Sequence, residues 1–263
     1  MTTLLQITDM HILRGLGDKF LGISTEYYFH AVLDMALAQH QPIDLILLSG
    51  DLCQDPCFAS YQRILKRITA TKIPCVCLPG NHDDFELMQQ VFNSDLMSCR
   101  KQRLLANWQL ISLNSQIPGS PKGMLADQEL QFLEACLSAR PTHHALIAVH
   151  HHCIPSESEW LDTMLLNNAD TLWSVVGQYP QVKAITTGHI HQIVDAEVRG
   201  VRVLGTPSTC FQFKPLSKDF CLDSCSPGYR LITLDEQGTL STEVFRIAES
   251  LEGLQIDNTD GYE

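Results

Sequence analysis

The sequence predicts a layered α/β enzyme fold, on three observations. Apolar runs of strand length recur over the first 190 residues, segments with helical spacing separate them, and polar residues close almost every run. At 263 residues the chain could form two average domains, but a layered α/β enzyme of this size is commonly one. A single domain over 1–247 is expected, followed by an acidic, mobile tail over 248–263.

The run "TLLQIT" (3–8) predicts a buried strand closing on Asp9 and His11, and "STEYYFHAVLDMALAQH" (24–40) follows with helical spacing. "IDLILLSG" (43–50) predicts a second strand closing on Gly50 and Asp51, with a helix over 59–70 after it. "IPCVCLPG" (73–80) predicts a third, closing on Gly80-Asn81-His82-Asp83. Asp83 and Glu86 fit a capping box that would start the helix over 84–92 directly after "GNH". "WQLISLN" (108–114) and a helix over 126–138 come next, then "HALIAVH" (144–150), which opens the triplet His150, His151 and His152. A helix over 169–179 precedes "VKAITTG" (182–188), which closes on Gly188-His189-Ile190-His191. Such uninterrupted runs mark strands buried on both faces. Beyond residue 190, the stretches 192–207, 229–235 and 240–247 alternate apolar and polar residues without intervening helices, predicting a second, antiparallel sheet region. The irregular 214–228 segment reads equally as a lid or as an ordered surface loop.

Composition narrows the function. A hydrophobic share of 44% with 18% charged residues excludes large-scale disorder. The net charge of −12, with no basic stretch denser than Arg100, Lys101 and Arg103, argues against a nucleic-acid partner. An anionic small molecule stays compatible, because bound cations reverse the local field. The ten cysteines are scattered, and Cys75-Val76-Cys77 and Cys221 to Cys225 lack the C-x2-C pairs of a zinc knuckle, so reduced thiols are expected. "MTTLLQITDMH" has no basic leader region, and no apolar stretch reaches membrane-spanning length. A cytoplasmic protein without a membrane partner is expected.

The polar clusters sit at the C-terminal ends of separate strands, the edge where ligands bind in open α/β sheets. Carboxylates, an amide and imidazoles form a nitrogen and oxygen donor set suited to Zn, Mn or Fe. In an extended "DMH" the outer residues would share one face and grip one ion, and the same period in "GHIH" would let His189 and His191 reach neighbouring ions. Asp51 has two oxygens and can bridge. Each block alone has a bland reading: a chance D-x-H, a turn, a capped helix, surface histidines. Five blocks in order, each ending an apolar run, are what argue for a site.

The order D-x-H, G-D, G-N-H-D, H-H and G-H-x-H over residues 4–207 resembles the calcineurin-like metallophosphoesterase superfamily. Within it, "VHHHCIP…GHIHQ…GTPSTCFQFKP…SPGYR" (149–230) is similar to the bacterial class III 3′,5′-cyclic AMP phosphodiesterases, and extends the likeness to about residue 247. The resemblance implies a four-layer αββα sandwich with a two-metal centre at one edge. Asp9, His11, Asp51 and His191 would hold one ion. Asp51, bridging, with Asn81, His150 and His189 would hold the other. Fe²⁺ or Mn²⁺ is expected, with Zn²⁺ or Co²⁺ compatible. His82 would be the general acid and Asp83 its orienting carboxylate, while His11, Asp51, Asn81, His82 and His191 would contact substrate. The implied activity is hydrolysis of a small cyclic nucleotide, 3′,5′-cyclic AMP, to AMP. His151 would then be structural and His152 a pocket-edge residue, and Thr206, Pro207 and Ser208 would serve packing or turns. The alternatives are a broader phosphodiesterase acting on glycerophosphodiesters or 2′,3′-cyclic nucleotides, a phosphomonoesterase, or a protein-binding scaffold, which the complete ligand set disfavours.

Overall fold

The computed structural model describes residues 1–259 and residue 261. The chain begins with β1 (Thr2–Ile7), α1 (Thr25–Gln39), β2 (Leu45–Ser49), α2 (Phe58–Thr69), β3 (Cys75–Leu78), α3 (Phe85–Val91) and β4 (Met97–Ser98). It continues through β5 (Gln102–Leu105), β6 (Trp108–Leu113), β7 (Gln116–Ile117), β8 (Ser120–Gly123), α4 (Asp127–Ala139), β9 (His144–Val149), α5 (Glu159–Asp162), α6 (Ala169–Val176) and β10 (Val182–Thr187). The last part holds β11 (Val194–Val198), β12 (Val201–Gly205), β13 (Gln212–Phe213), β14 (Leu222–Asp223), β15 (Gly228–Leu234) and β16 (Leu240–Arg246).

Two six-stranded sheets result, ordered β16-β15-β1-β2-β3-β4 and β11-β12-β10-β9-β6-β5. Their apolar faces meet through Leu4, Leu45, Leu47, Val76, Leu78, Leu110, Leu146, Ala148, Ala184 and Leu204. The alternate residues of the same strands point outward. Leu5, Ile7, Ile46 and Leu48 pack with α1 and α2 residues such as Phe29, Val32 and Ile64, and Ile111, Ile147 and Ile185 pack with α4 and α6 residues such as Leu133 and Leu172. Both faces of each central strand are therefore covered, which is why these strands carry no polar alternation. The outcome is the four-layer αββα sandwich.

The C-terminal strands depart from expectation. Among the described residues β11, β12, β15 and β16 form no sheet of their own. β15 pairs antiparallel with β1, β16 extends that edge, and the β11–β12 hairpin caps the other sheet with β12 parallel to β10. Their alternation reports position at the edges, where one face meets solvent. The 214–228 segment is ordered around the β13–β14 pair, and Ser217 ties it to α5 by accepting from the Trp160 indole at 3.0 Å. The stretch expected as a mobile tail lies against α1: Tyr28 donates to the Ser250 carbonyl at 3.0 Å, Gln255 N–H donates to the Leu21 carbonyl at 3.0 Å, and Leu251 joins the core. Residues 260, 262 and 263 of that stretch fall outside the described residues.

Candidate metal centre

Toward the C-terminal ends of the strands the inter-sheet layer turns polar. Gln6 lies at its middle, donating to Ser49 Oγ at 2.9 Å and accepting from Thr186 Oγ1 and Thr206 Oγ1 at 2.6 and 2.9 Å. One step further along the chain lie Asp9, His11, Asp51, His150, His189 and His191, all at most 1% exposed. Backbone bonds hold these loop ends together: Asp9 N–H donates to the Gly50 carbonyl and His11 N–H to the Asp51 carbonyl, each at 3.0 Å, and Gly188 N–H donates to the His150 carbonyl at 3.1 Å.

The expected extended geometry of "DMH" and "GHIH" is not what aims these side chains. Asp9, His11, Asp51, His189 and His191 adopt left-handed φ values of 53, 45, 49, 65 and 48°. That conformation costs an L-residue roughly 1–2 kcal/mol, and strain of this kind concentrates at functional sites. Glycines leave room for the crowding. A Cβ at Gly80 would stand 2.1 Å from Asp51 Oδ1, and one at Gly188 would stand 2.8 Å from Asp9 Oδ2.

Asp51 is common to two groups whose ligand atoms lie within 4.8 Å of one another, one with His11 and His82, the other with His150 and His189. His11 Nε2 lies 3.3 Å from His191 Nε2 and 3.9 Å from Asp51 Oδ2, and His191 Nε2 lies 3.4 Å from Asp9 Oδ1. His150 Nε2 is 3.3 Å from Asp51 Oδ2. Three of the rings are fixed by their other nitrogen. Nδ1 of His11 meets Gln54 Oε1 at 2.8 Å, that of His150 meets the Ser49 carbonyl at 2.9 Å, and that of His191 meets the Phe211 carbonyl at 2.8 Å. An acceptor at Nδ1 places the proton there and leaves the Nε2 lone pair for a metal, the usual arrangement behind a ligating histidine. Asp51 Oδ2, Asn81 Oδ1, His150 Nε2 and both His189 nitrogens are buried without a hydrogen-bond partner among the described residues. Burial without partners is costly for polar atoms, so this donor set fits cations.

Electrostatics leave two of the rings unprotonated. Burial drives the His11 pKa down to about 3, and burial with the neighbouring rings of His151 and His150 holds His189 well below the usual imidazole range. Both are neutral, as ligands must be. Burial alone would raise the Asp51 carboxyl and lower His150; their mutual attraction overrides it, holding Asp51 well below the usual carboxylate range and taking His150 up to about 9, so the two form an ion pair whose proton a bound cation would displace.

Asp83 sits elsewhere than expected. The N-cap of α3 is Asp84, whose Oδ1 accepts from Leu87 N–H at 3.0 Å. The Asp83 carboxylate instead accepts from the N–H groups of Leu52, Cys53 and Gly80 at 3.1, 3.1 and 3.0 Å and from Tyr61 Oη–H at 2.9 Å. These bonds tie the turn that carries His82 to the segment directly after Asp51. Burial and the Asp51 charge raise its pKa to about 7. His82 itself donates its N–H to Asp51 Oδ1 at 2.9 Å, and its ring stands edge-on to that of His11.

The histidine triplet divides. His151 is tied at both nitrogens, to Ser115 Oγ at 2.7 Å and to the Pro121 carbonyl at 3.2 Å, and His152 approaches Asp162 at 3.3 Å. Ser208 Oγ donates to the Asp9 carbonyl at 2.7 Å, and Thr206 accepts from the buried Arg230 at 3.2 Å. Sequence reasoning missed Gln54, Gln116 and Cys210, whose thiol shares a 4.8 Å group with His11 and His191 and points at the Asp9 carbonyl.

Residues 2–193 match the model of the calcineurin-like phosphoesterases, and the chain belongs to this family, whose members carry a dinuclear metal centre. Over 246 residues it is 44% identical to the 3′,5′-cyclic adenosine monophosphate phosphodiesterase CpdA of Vibrio vulnificus, covering 93% of this chain and 90% of that one. It is 40% identical over 248 residues to CpdA of Escherichia coli K12 (94% and 90% covered), and 37% identical over 246 residues to a 3′,5′-cyclic-nucleotide phosphodiesterase of Nostoc (94% and 92%). A dimetal phosphatase from Danio rerio shares the fold, with a TM-score of 0.65 at 15% identity over 95% of this chain and 98% of that one.

Proposed function

We propose that the chain hydrolyses 3′,5′-cyclic AMP to AMP at a centre of two divalent ions. The observation that carries the centre is the pair of ligand groups around Asp51, with Asn81 Oδ1 and both His189 nitrogens buried without a hydrogen-bond partner among the described residues. Each such atom costs about 1–3 kcal/mol when left without a partner, a cost that cations at the site would remove. Asp9, His11, Asp51 and His191 would hold one ion, and Asp51, Asn81, His150 and His189 the other. The substrate is taken from relatives up to 44% identical, which are 3′,5′-cyclic AMP phosphodiesterases.

Two ions so held would supply a water acidic enough to ionise near neutral pH and positive charge for the phosphoryl oxygens. The chain does the rest. Gln54, Ser49 and Phe211 keep His11, His150 and His191 turned with Nε2 into the site. Two carboxylates among two dications leave the centre positive, which suits a phosphodiester monoanion on a chain of net charge −12. His82 protonates the departing ribose oxygen, and with His11, Asp51, Asn81 and His191 it lines the phosphate position. The nitrogen and oxygen donors favour Fe²⁺ or Mn²⁺ in our reading, with Zn²⁺ and Co²⁺ compatible. We further read the chain as one domain, the docked 248–258 stretch included, of a cytoplasmic protein without nucleic-acid or membrane partners. All ten cysteines are free, and no helix among the described residues is long and apolar enough to cross a membrane. Purified protein loaded with Mn²⁺ or Fe²⁺ and given a panel of phosphodiesters tests the substrate: activity on non-cyclic diesters alone removes it and leaves the enzyme class.

A further inference from the structure

We infer that Gln116 is a positioning residue for His82, setting the turn that carries it at the angle needed to deliver a proton. This rests on the reading of His82 as general acid. The Gln116 amide lies across the 80–83 turn, with Nε2 donating to the Gly80 carbonyl at 2.9 Å and also to the Asp83 carbonyl. Those carbonyls bracket Asn81 and His82. A side-chain NH₂ offers two donors, the number the two carbonyls require, and a carboxylate of the same shape offers none.

Gln116 is itself held. Its N–H donates to Asn114 Oδ1 at 2.8 Å, and the adjoining Ser115 accepts from Met124 N–H at 2.9 Å while its hydroxyl pairs with His151 Nδ1 at 2.7 Å. The β7–β8 hairpin is thus pinned to His151 and reaches from the second sheet across to the β3 turn of the first. On the opposite side of that turn, His82 N–H donates to Asp51 Oδ1 at 2.9 Å. His82 is set between the shared carboxylate and the Gln116 clamp. Releasing the clamp leaves Asp9, His11, Asp51, His150, His189 and His191 in place and frees the turn. Asn81 shares the turn, and a choice of substrates separates the two effects. A displaced ligand slows every substrate, whereas a displaced acid slows those whose leaving group needs a proton.

The test measures turnover of 3′,5′-cyclic AMP and of bis(p-nitrophenyl) phosphate, whose leaving group departs unprotonated, with metal content and circular dichroism on the same samples. Gln116→Met should keep both metals, lose about tenfold or more on cyclic AMP and lose under about threefold on the aryl diester. Gln116→Glu, which turns acceptors toward two carbonyls, should lose more on cyclic AMP than the Met variant. Gln116→Asn, as polar as the native residue but one methylene short, provides the same comparison in a second variant. Equal losses on both substrates, loss of metal, or no loss overturn the inference. His82→Ala run in parallel tests the underlying reading: equal losses there refute the acid role itself, whatever the Gln116 variants do.

Discussion

Gly50→Ala probes how the backbone makes room for the centre. Gly50 has φ +99°, and a Cβ there would stand 2.3 Å from His150 Nδ1, 2.7 Å from its Cγ and 2.8 Å from Gly80 N. The conformation alone costs a residue with a Cβ about 1–2 kcal/mol, and forcing one more carbon into a packed site costs about 1–3 kcal/mol. The His150 ring can yield only by breaking its 2.9 Å bond to the Ser49 carbonyl, which also swings Nε2 away from Asp51. The variant should be about 2–5 kcal/mol less stable by urea denaturation of chelated protein. It should bind the ion assigned to His150 about 10–100-fold more weakly, read by metal titration. Gly119→Ala is the control: its φ is +71° and nothing lies within 4 Å of a Cβ, so only the conformational part should appear. A Gly50→Ala protein with native stability, metal content and turnover would refute the reasoning.

Four further outcomes follow from the structure. Gln54→Leu removes the acceptor of His11 Nδ1 and should weaken binding of the ion assigned to His11 about 10–100-fold in metal titration, with little change in the fold. Asp84→Ala removes the α3 cap and should cost about 1 kcal/mol in denaturation. Asp83→Ala strands three backbone donors and the Tyr61 hydroxyl and should cost about 3 kcal/mol or more, reversing the ranking a capping role for Asp83 would give. For Asp162, burial would raise the carboxyl, but His152 and Ser156 hold its pKa near 2, below the ordinary 3.8. A depressed carboxylate stabilises the fold above its unfolded pKa and loses that contribution as pH falls through its folded one. Asp162→Ala should therefore lower the melting temperature at pH 5 and flatten its fall between pH 4 and 2.

The central strands were legible because runs such as 45–48 and 145–149 are apolar on both faces, and only a covered strand tolerates that. The helices were legible from periodicity. The pairing of β15 with β1 was not, since alternation reports one exposed face and says nothing of which sheet edge a strand joins. The docking of 248–258 escaped for a similar reason: Leu251 and Leu254 are too few to make a periodic pattern, yet enough to cover part of α1. At the site, residue types and strand ends were readable, while the turn geometry was not, because left-handed φ at Asp9 or His191 comes from tertiary crowding. Asp83 and Asp84 are adjacent and equally able to cap, so choosing between them needed the buried N–H groups of Leu52 and Cys53. Partners such as the Ser49 and Phe211 carbonyls leave no mark in sequence at all, since every residue has one.

The most direct test of the two-ion phosphodiesterase is AMP formation from 3′,5′-cyclic AMP by chelator-treated protein titrated with Mn²⁺ or Fe²⁺. The rate should rise from a baseline near zero and level off at two equivalents per chain, in step with bound metal. Turnover that ignores added metal, saturates at one equivalent, or is absent at full loading would contradict it.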